Sequence, residues 1–324
     1  MEQTVRLNTI GYDPFITFMK GYAILCVLLA HAIPNPDATG YVFWGGMQVP
    51  LFLLIQTFHS FKKKPKFCLT KILKRVVLPF FLVQACLIAV LCRNGGIYNL
   101  LIISVIGGGI GPGAYYFWIY LQFAILLPLV YPLLSKLKNS SLLILFLLVS
   151  EGCEVISSVI VIPEPVYRLL CLRYLFLIYL GYEWVRQGIA INRKTLLLSA
   201  ISLVAIVFFT YLDGSLVPVF FDTSWRYHRW ICYFYVAYLF AYLISLLFKV
   251  VSKINWIDSF FKILGGASWE IYVVQMVVFV LFSKSLLSFL PANIITITWM
   301  FATIALSIIF GILYHRFWTK YVFR

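Results

Sequence analysis

The chain has 324 residues, of which 63% are hydrophobic and only 11% are charged, and its net charge is +15. A soluble domain has about 45–50% apolar and about 25% charged residues, so this composition excludes a water-soluble globule, a disordered chain and a nucleic-acid-binding protein as the main class. An integral membrane protein remains.

Ten apolar stretches follow one another along the chain, each of a length suited to a membrane-spanning helix, which needs roughly 20 residues. The connecting segments are short, so we predict an all-α polytopic membrane protein: one domain over residues 1–324, built as a bundle of about ten transmembrane helices. A shorter stretch, Ile97–Ile106, is predicted to lie in the interface or to re-enter. The ten predicted spans are Phe15–Pro34, Tyr41–Phe61, Val76–Leu91, Gly113–Leu134, Ser140–Ile162, Val166–Arg186, Thr195–Asp213, His228–Phe248, Phe261–Ser283 and Asn293–Phe317.

Lysine and arginine are concentrated in alternate loops. By the positive-inside rule this side is cytoplasmic and both termini lie there. The net charge is then mainly a topology signal, and it requires no nucleic-acid partner. The densest cluster follows the second predicted span and contains Lys62, Lys63, Lys64, Lys66, Lys71, Lys74 and Arg75.

The cysteines are scattered, and most of them fall within the predicted spans. No pair has the spacing of a zinc site or a redox motif, so we interpret all seven as small apolar fillers and predict no metal site.

Two ionisable side chains lie within the first predicted span. Such residues cost roughly 2.5–3.5 kcal/mol or more at membrane depth, which makes them functional candidates. Lys20 and His31 are 11 residues apart, close to three helical turns, so they share a face at an axial separation of roughly 16 Å. The alternative is that Lys20 extends to the headgroups and His31 caps the outer end of the helix.

A basic face precedes the third predicted span in LTKILKRVVLPFF. Lys71, Lys74 and Arg75 follow an i, i+3, i+4 pattern, so a helix would present them together. They could bind the phosphates of an anionic cytoplasmic ligand, or serve only as a positive-inside anchor.

The ninth predicted span begins with the polar motif LGGASWEIYVVQ. Ser268, Tyr272 and Gln275 fall on one helical face, whereas Glu270 points elsewhere and needs a partner. This face could belong to a site or could only hold helices together.

Other polar segments have simpler interpretations. We interpret Glu154 and Arg173 as a structural ion pair, and the loop FDTSWRYHRW as an aromatic belt or a sugar-stacking surface. The Gly-rich segment GGGIGPG lacks the Lys-Ser/Thr of a P-loop and is predicted to face outward.

Six segments in chain order resemble motifs of the acyltransferase 3 family, which includes bacterial O-acetyltransferases of surface polysaccharides. The departures are Thr17 in place of a usual Asp, Gln56 and Thr57 in place of Ser-Gly, and Gln275 in place of a late His. The matching segments are ITFMKGYAILCVLLAH, VPLFLLIQTFHSF, LTKILKRVVLPFF, YYFWIYLQFAILLPLVYPLL, LIYLGYEW and LGGASWEIYVVQ.

The resemblance implies an acyl-CoA donor, most often acetyl-CoA, as a co-substrate rather than a permanently bound cofactor. It implies a hydroxyl of a polysaccharide or lipid-linked sugar as acceptor, and a multi-pass position in the bacterial inner membrane bilayer. We interpret His31 as the general base or, alternatively, as the carrier of an acyl intermediate, and Lys20 as a donor-holding or charge-stabilising residue. The resemblance further suggests Lys71, Lys74 and Arg75 as donor-binding residues, and Trp118, Ser268, Glu270, Tyr272 and Gln275 as acceptor-binding or orienting residues.

Two other classes fit the same composition. A multipass transporter or flippase for a lipid-linked sugar would use buried charges along its path, but it would not consume acetyl-CoA. A catalytically inactive relative acting as a scaffold is the third class, and the presence of both Lys20 and His31 argues against it.

Overall fold

A computed structural model of the chain describes residues 13–35, 39–92, 106–189, 191–213, 225 and 229–322. Within these ranges the regular structure is helical and includes no strand, which confirms the predicted all-α class. Most of the stretch Ile97–Ile106 and most of the aromatic loop at 221–230 lie outside the described residues.

The principal helices are numbered α1 to α11. Four of them are irregular. Helix α3 has a π-helical stretch at Leu73–Val77 and α7 has one at Phe208–Leu212. Helix α8 begins with a 3-10 turn at Trp230–Cys232 and continues with a π-helical stretch at Tyr235–Phe240, and α2 is interrupted between Trp44 and Gln48. The helices are α1 (Pro14–Ala32), α2 (Tyr41–Lys62), α3 (Leu69–Leu91), α4 (Tyr115–Lys136), α5 (Asn139–Val159), α6 (Phe176–Gln187), α7 (Arg193–Leu212), α8 (Trp230–Val251), α9 (Asn255–Gly266), α10 (Ser268–Leu281) and α11 (Ala292–Tyr321).

Most of these helices have the length and composition of membrane spans. Among the described residues eight qualify singly, and α9 with α10 makes a ninth if this pair, bent by 76°, is one span. The chain is therefore a multi-pass membrane protein, and its predicted ninth span consists of two helices rather than one.

The predicted sixth span is also not a single helix. It divides into a short helix at Glu164–Leu169, a 3-10 turn at Leu172–Tyr174, and α6. This segment still runs the length of the bundle: Arg168 lies over the ring of Tyr115, where α4 begins, while Glu183 accepts a hydrogen bond from Asn139, where α5 begins. Since α5 begins where α4 ends, the segment supplies a further crossing.

The chain segments rich in lysine and arginine meet at one end of the bundle. Asp13, which caps α1 through the Ile16 amide at 3.2 Å, lies 3.9 Å from Lys62 at the end of α2. The indole of Trp318 in α11 donates a hydrogen bond of 2.9 Å to the carbonyl of Lys74 in α3. We call this the basic end, and its cytoplasmic orientation stays a prediction.

Helices α1 and α9 pack with their backbones in contact at this end. A Cβ atom on Gly265 would collide with the carbonyl oxygen of Thr17, and one on Gly21 would collide with that of Phe261. Only glycine permits this approach, which fixes α1, and with it Lys20, against the rest of the bundle.

Candidate active site

A cavity of about 1180 Å³ extends from the basic end into the bundle. Its wall is formed by residues of α1, α2, α3, α4, α9, α10 and α11, together with the segment that precedes α6. Lys20 and His31 both line it, as their shared helical face predicts. The imidazole of His31 also contacts the ring of Phe279, with ring centroids 6.0 Å apart.

The basic end of the cavity is lined by Lys71 and Arg75 but not by Lys74. The π-helical stretch that begins at Leu73 gives the reason, because its i→i+5 hydrogen bonds widen the turn and a residue three positions on no longer shares the face. The prediction that Lys74 shares a face with Lys71 and Arg75 assumed regular α-helical geometry. The loop and the end of α2 add further cavity-lining residues. Lys63, Lys64 and Lys66 were predicted only as part of the basic cluster, and His59 and Ser60 were not predicted at all.

Aromatic side chains form the wall between the two ends. The rings of Tyr116 and Tyr272 meet edge to face, with centroids 5.3 Å apart, and Trp269 lies between Tyr272 and Tyr120, with centroids 5.2 and 5.4 Å away. Gln56 donates a hydrogen bond of 3.0 Å to the Tyr120 carbonyl. The wall between the two ends of the cavity is therefore largely aromatic.

Glu270 has the partner that the sequence required. Its Oε2 lies 3.1 Å from Nδ1 of His315 in α11, and both residues line the cavity together with Ser268. The sequence analysis missed His315, although a histidine in the last apolar span was a signal of the same kind as His31.

Three polar side chains converge on Gly113 at the far end of the cavity. A Cβ atom on Gly113 would lie 3.5 Å from Nε2 of His31, 3.7 Å from Cε2 of Tyr272 and 3.9 Å from Nε2 of Gln275. The Tyr272 hydroxyl donates a hydrogen bond of 2.9 Å to the Gly113 carbonyl. Gln275 is fully buried, does not line the large cavity, and has no hydrogen-bond partner for either amide atom among the described residues.

The glycine-rich loop that carries Gly113 is held from two sides. Gln84 of α3 accepts from the amide of Ile110 at 2.7 Å and donates to its carbonyl at 3.1 Å. Trp118 donates to the carbonyl of Gly108 at 2.6 Å, and its side chain does not line the cavity. Trp118 thus supports the loop, and Gln84, a lone amide in an apolar span, is a supporting residue that the sequence analysis missed.

Two arginines complete the His31 end: Arg168 and Arg173 line the cavity there. The sequence predicted a structural role for Arg173, with Glu154 as its partner. Glu154 lies 3.9 Å from Arg229.

Cys68 is one of the residues that line the cavity. All seven cysteines are free thiols. Among the residues that the structure describes, no three His, Cys, Asp or Glu side chains are grouped so that they could hold a metal ion.

Fold and cavity together define a multi-pass membrane protein with an internal, cation-lined chamber that reaches a histidine. The family model described as an acyltransferase domain matches residues 13–316. The chain belongs to this acyltransferase 3 family and is a membrane acyltransferase. Comparisons with curated proteins and with solved structures find no significant match.

Proposed function

We propose that the protein is an O-acetyltransferase of the bacterial inner membrane, which moves an acetyl group from acetyl-CoA to a hydroxyl of a cell-surface polysaccharide or of its lipid-linked precursor. The observation that carries the proposal is that one continuous cavity is lined by Lys71 and Arg75 of the basic end, by Lys20 and by His31. This continuity suits a donor with an anionic head and a reactive group at the other end of an extended arm.

The donor's phosphates bind at the basic end in this proposal. Lys71 and Arg75 provide charge on the cavity wall, and arginine presents donors that match phosphate oxygens. The pantetheine arm then extends past Lys20 along α1. Lys20 and His31 are 11 residues apart, or about 16 Å along the helix axis, so the thioester reaches the imidazole.

His31 acts as the general base. Its neutral imidazole takes the proton of the acceptor hydroxyl as the oxygen forms a bond to the thioester carbonyl carbon. The carbon–sulfur bond breaks, and the CoA thiolate takes the proton back from the imidazolium. Tyr272 and Gln275, which converge with His31 on Gly113, orient the reacting groups, while Ser268 and Glu270 line the approach.

The proposal is tested with purified protein in lipid vesicles, radiolabelled acetyl-CoA and the glycan fraction of cells that lack the gene. We expect alkali-labile acetyl ester on the glycan and one free CoA thiol per acetyl transferred. Transport of unmodified glycan with no CoA release would identify the flippase class instead. Replacing Lys136, which is not on the cavity wall, provides the control for Lys20→Ala, for which impaired donor use is expected.

A further inference from the structure

The sixth crossing is interrupted where it passes the His31 end of the cavity, and the interruption is built into the fold. Gln122 of α4 donates a hydrogen bond of 2.6 Å to the carbonyl of Leu169 and accepts one of 3.1 Å from the amide of Cys171. These bonds satisfy backbone groups that a continuous helix would have paired internally. Irregular backbone at membrane depth is tolerated where protein buries it or where it lines a cavity, and both conditions hold here.

The break brings two arginines onto one aromatic ring. The guanidinium carbons of Arg168 and Arg173 lie 4.8 and 5.6 Å from the centroid of Tyr115. In a continuous α-helix, residues five positions apart point about 140° away from each other. The 3-10 turn at Leu172–Tyr174 removes this divergence, so both side chains line the cavity.

Two positive charges in this position repel each other and are expensive within a membrane. Arg173 is only 4% exposed, whereas Arg168 is accessible. None of the ion pairs found among the described residues includes Arg168. Tyr115, over whose ring Arg168 lies, is two residues from Gly113, which lies next to the imidazole of His31.

We infer that Arg168 and Arg173 bind an anionic group of the acceptor, a carboxylate or a phosphate ester, and thereby hold the reacting hydroxyl at His31. The inference rests on the proposed function and specifies its substrate class. Arginine recognises both anions through paired donors, and Tyr115 keeps the two guanidinium groups oriented by cation–π contact.

The anion belongs to the acceptor rather than to the donor because of where the donor's own charges lie. The phosphates of acetyl-CoA are at the opposite end of the molecule from its thioester. With the thioester at His31, those phosphates lie at the basic end beside Lys71 and Arg75. The arginines at the His31 end therefore serve the second substrate.

In the test, the wild-type protein in vesicles is incubated with radiolabelled acetyl-CoA and with glycan or lipid-linked fractions from cells that lack the gene. The fractions are separated beforehand on an anion-exchange column. Label in the retained fraction supports the inference, and label confined to the neutral fraction overturns it. If no fraction is labelled, the acetyltransferase function itself fails, which is a different outcome.

The fraction that serves as acceptor is treated in two ways before the assay, and the two treatments distinguish the sources of the anion. Carbodiimide–borohydride reduction removes carboxylates, and mild acid cleaves sugar–phosphate linkages. Loss of acceptor activity after reduction assigns a carboxylate, and loss after mild acid assigns a phosphate. Full activity after both treatments overturns the inference.

Variants provide the second readout. For Arg168→Gln we expect an increase of about tenfold in the acceptor KM, with an unchanged KM for acetyl-CoA and partial rescue in Arg168→Lys. Arg186 is the matched control, because it lies 5.8 Å from the ring of Tyr182 but not on the cavity wall. An unchanged acceptor KM in a monodisperse Arg168→Gln protein would contradict the assignment.

Discussion

The two ends of the cavity are built in different ways. At the basic end the cavity-lining charges come mainly from one continuous stretch that includes Lys63, Lys71 and Arg75. At the other end His31, Gly113 and Arg168 come from three separate segments. The first arrangement presents flexible charged side chains, whereas the second places atoms of His31, Tyr272 and Gln275 within about 4 Å of a Cβ position on Gly113, a geometry that suits the proposed acyl transfer.

This difference predicts that substitutions at the His31 end reduce turnover or weaken acceptor binding, while those at the basic end weaken donor binding.

Removal of the imidazole has the largest expected effect. His31→Ala should reduce acetyl transfer by about 10²–10⁴-fold, the usual contribution of a positioned general base, without weakening acetyl-CoA binding. Transfer is measured as labelled ester and binding by equilibrium dialysis. Normal transfer in a variant present at wild-type levels would exclude the catalytic role.

Gly113→Ala should reduce kcat by about tenfold or more. A strained left-handed residue costs of order 1–3 kcal/mol, and relief of that strain would shift backbone that lies next to His31, Tyr272 and Gln275. The glycine has φ of +78°, and the added carbon would lie 3.5 Å from Nε2 of His31.

Gly188→Ala separates backbone strain from contact with the imidazole. Gly188 has φ of +74°, but nothing lies within 4 Å of the added carbon. We expect both variants to lower the melting temperature and only Gly113→Ala to lower kcat. Equal loss of kcat in the two would contradict the contact with His31.

At the basic end, Lys71→Ala and Arg75→Ala should each raise the KM for acetyl-CoA by roughly fivefold to tenfold, since charge-assisted hydrogen bonds to phosphate are lost. Lys74→Ala should change it by less than about twofold, because Lys74 is not on the cavity wall. Initial rates at varied donor concentration measure all three. An effect of Lys74→Ala as large as the others would favour the regular helical face that the sequence pattern implied.

The smallest effect is expected for the pair Glu270 and His315, whose facing atoms lie 3.1 Å apart. In a double-mutant cycle with Glu270→Gln and His315→Gln, we expect a coupling free energy of about 1 kcal/mol in thermal unfolding. Additive effects would mean that the contact does not stabilise the fold.

Helical periodicity was sufficient to predict that Lys20 and His31 line one surface, because α1 is regular over Pro14–Ala32. It was also sufficient to predict that Glu270 needs a partner. It could not identify His315 as that partner, because the contact depends on how α10 and α11 pack.

Hydropathy and periodicity fail where the helices are irregular. The apolar composition of Val166–Arg186 predicted one continuous span. In the structure the helix is interrupted after Leu169, because Gln122 donates a hydrogen bond to the Leu169 carbonyl and accepts one from the Cys171 amide. Lys74 is likewise turned away from its predicted face by the π-helical stretch at Leu73–Val77, where Trp318 of α11 donates a hydrogen bond to the Lys74 carbonyl. Local pattern carries no information about a bond supplied by another helix, and this is why the paired arrangement of Arg168 and Arg173 was missed.

The backbone contact between α1 and α9 has a consequence for substrate choice. Because Gly21 and Gly265 let the backbones of α1 and α9 pack in contact, close packing sets the position of α1 in the bundle. Under the proposed function, the interval between Lys20 and His31 then acts as a molecular ruler. Under the proposed donor geometry, a thioester arm shorter than pantetheine would leave its carbonyl short of the imidazole even when its head is correctly seated. Donors would then be selected first by the length of the thioester arm and only afterwards by the chemistry of the acyl group.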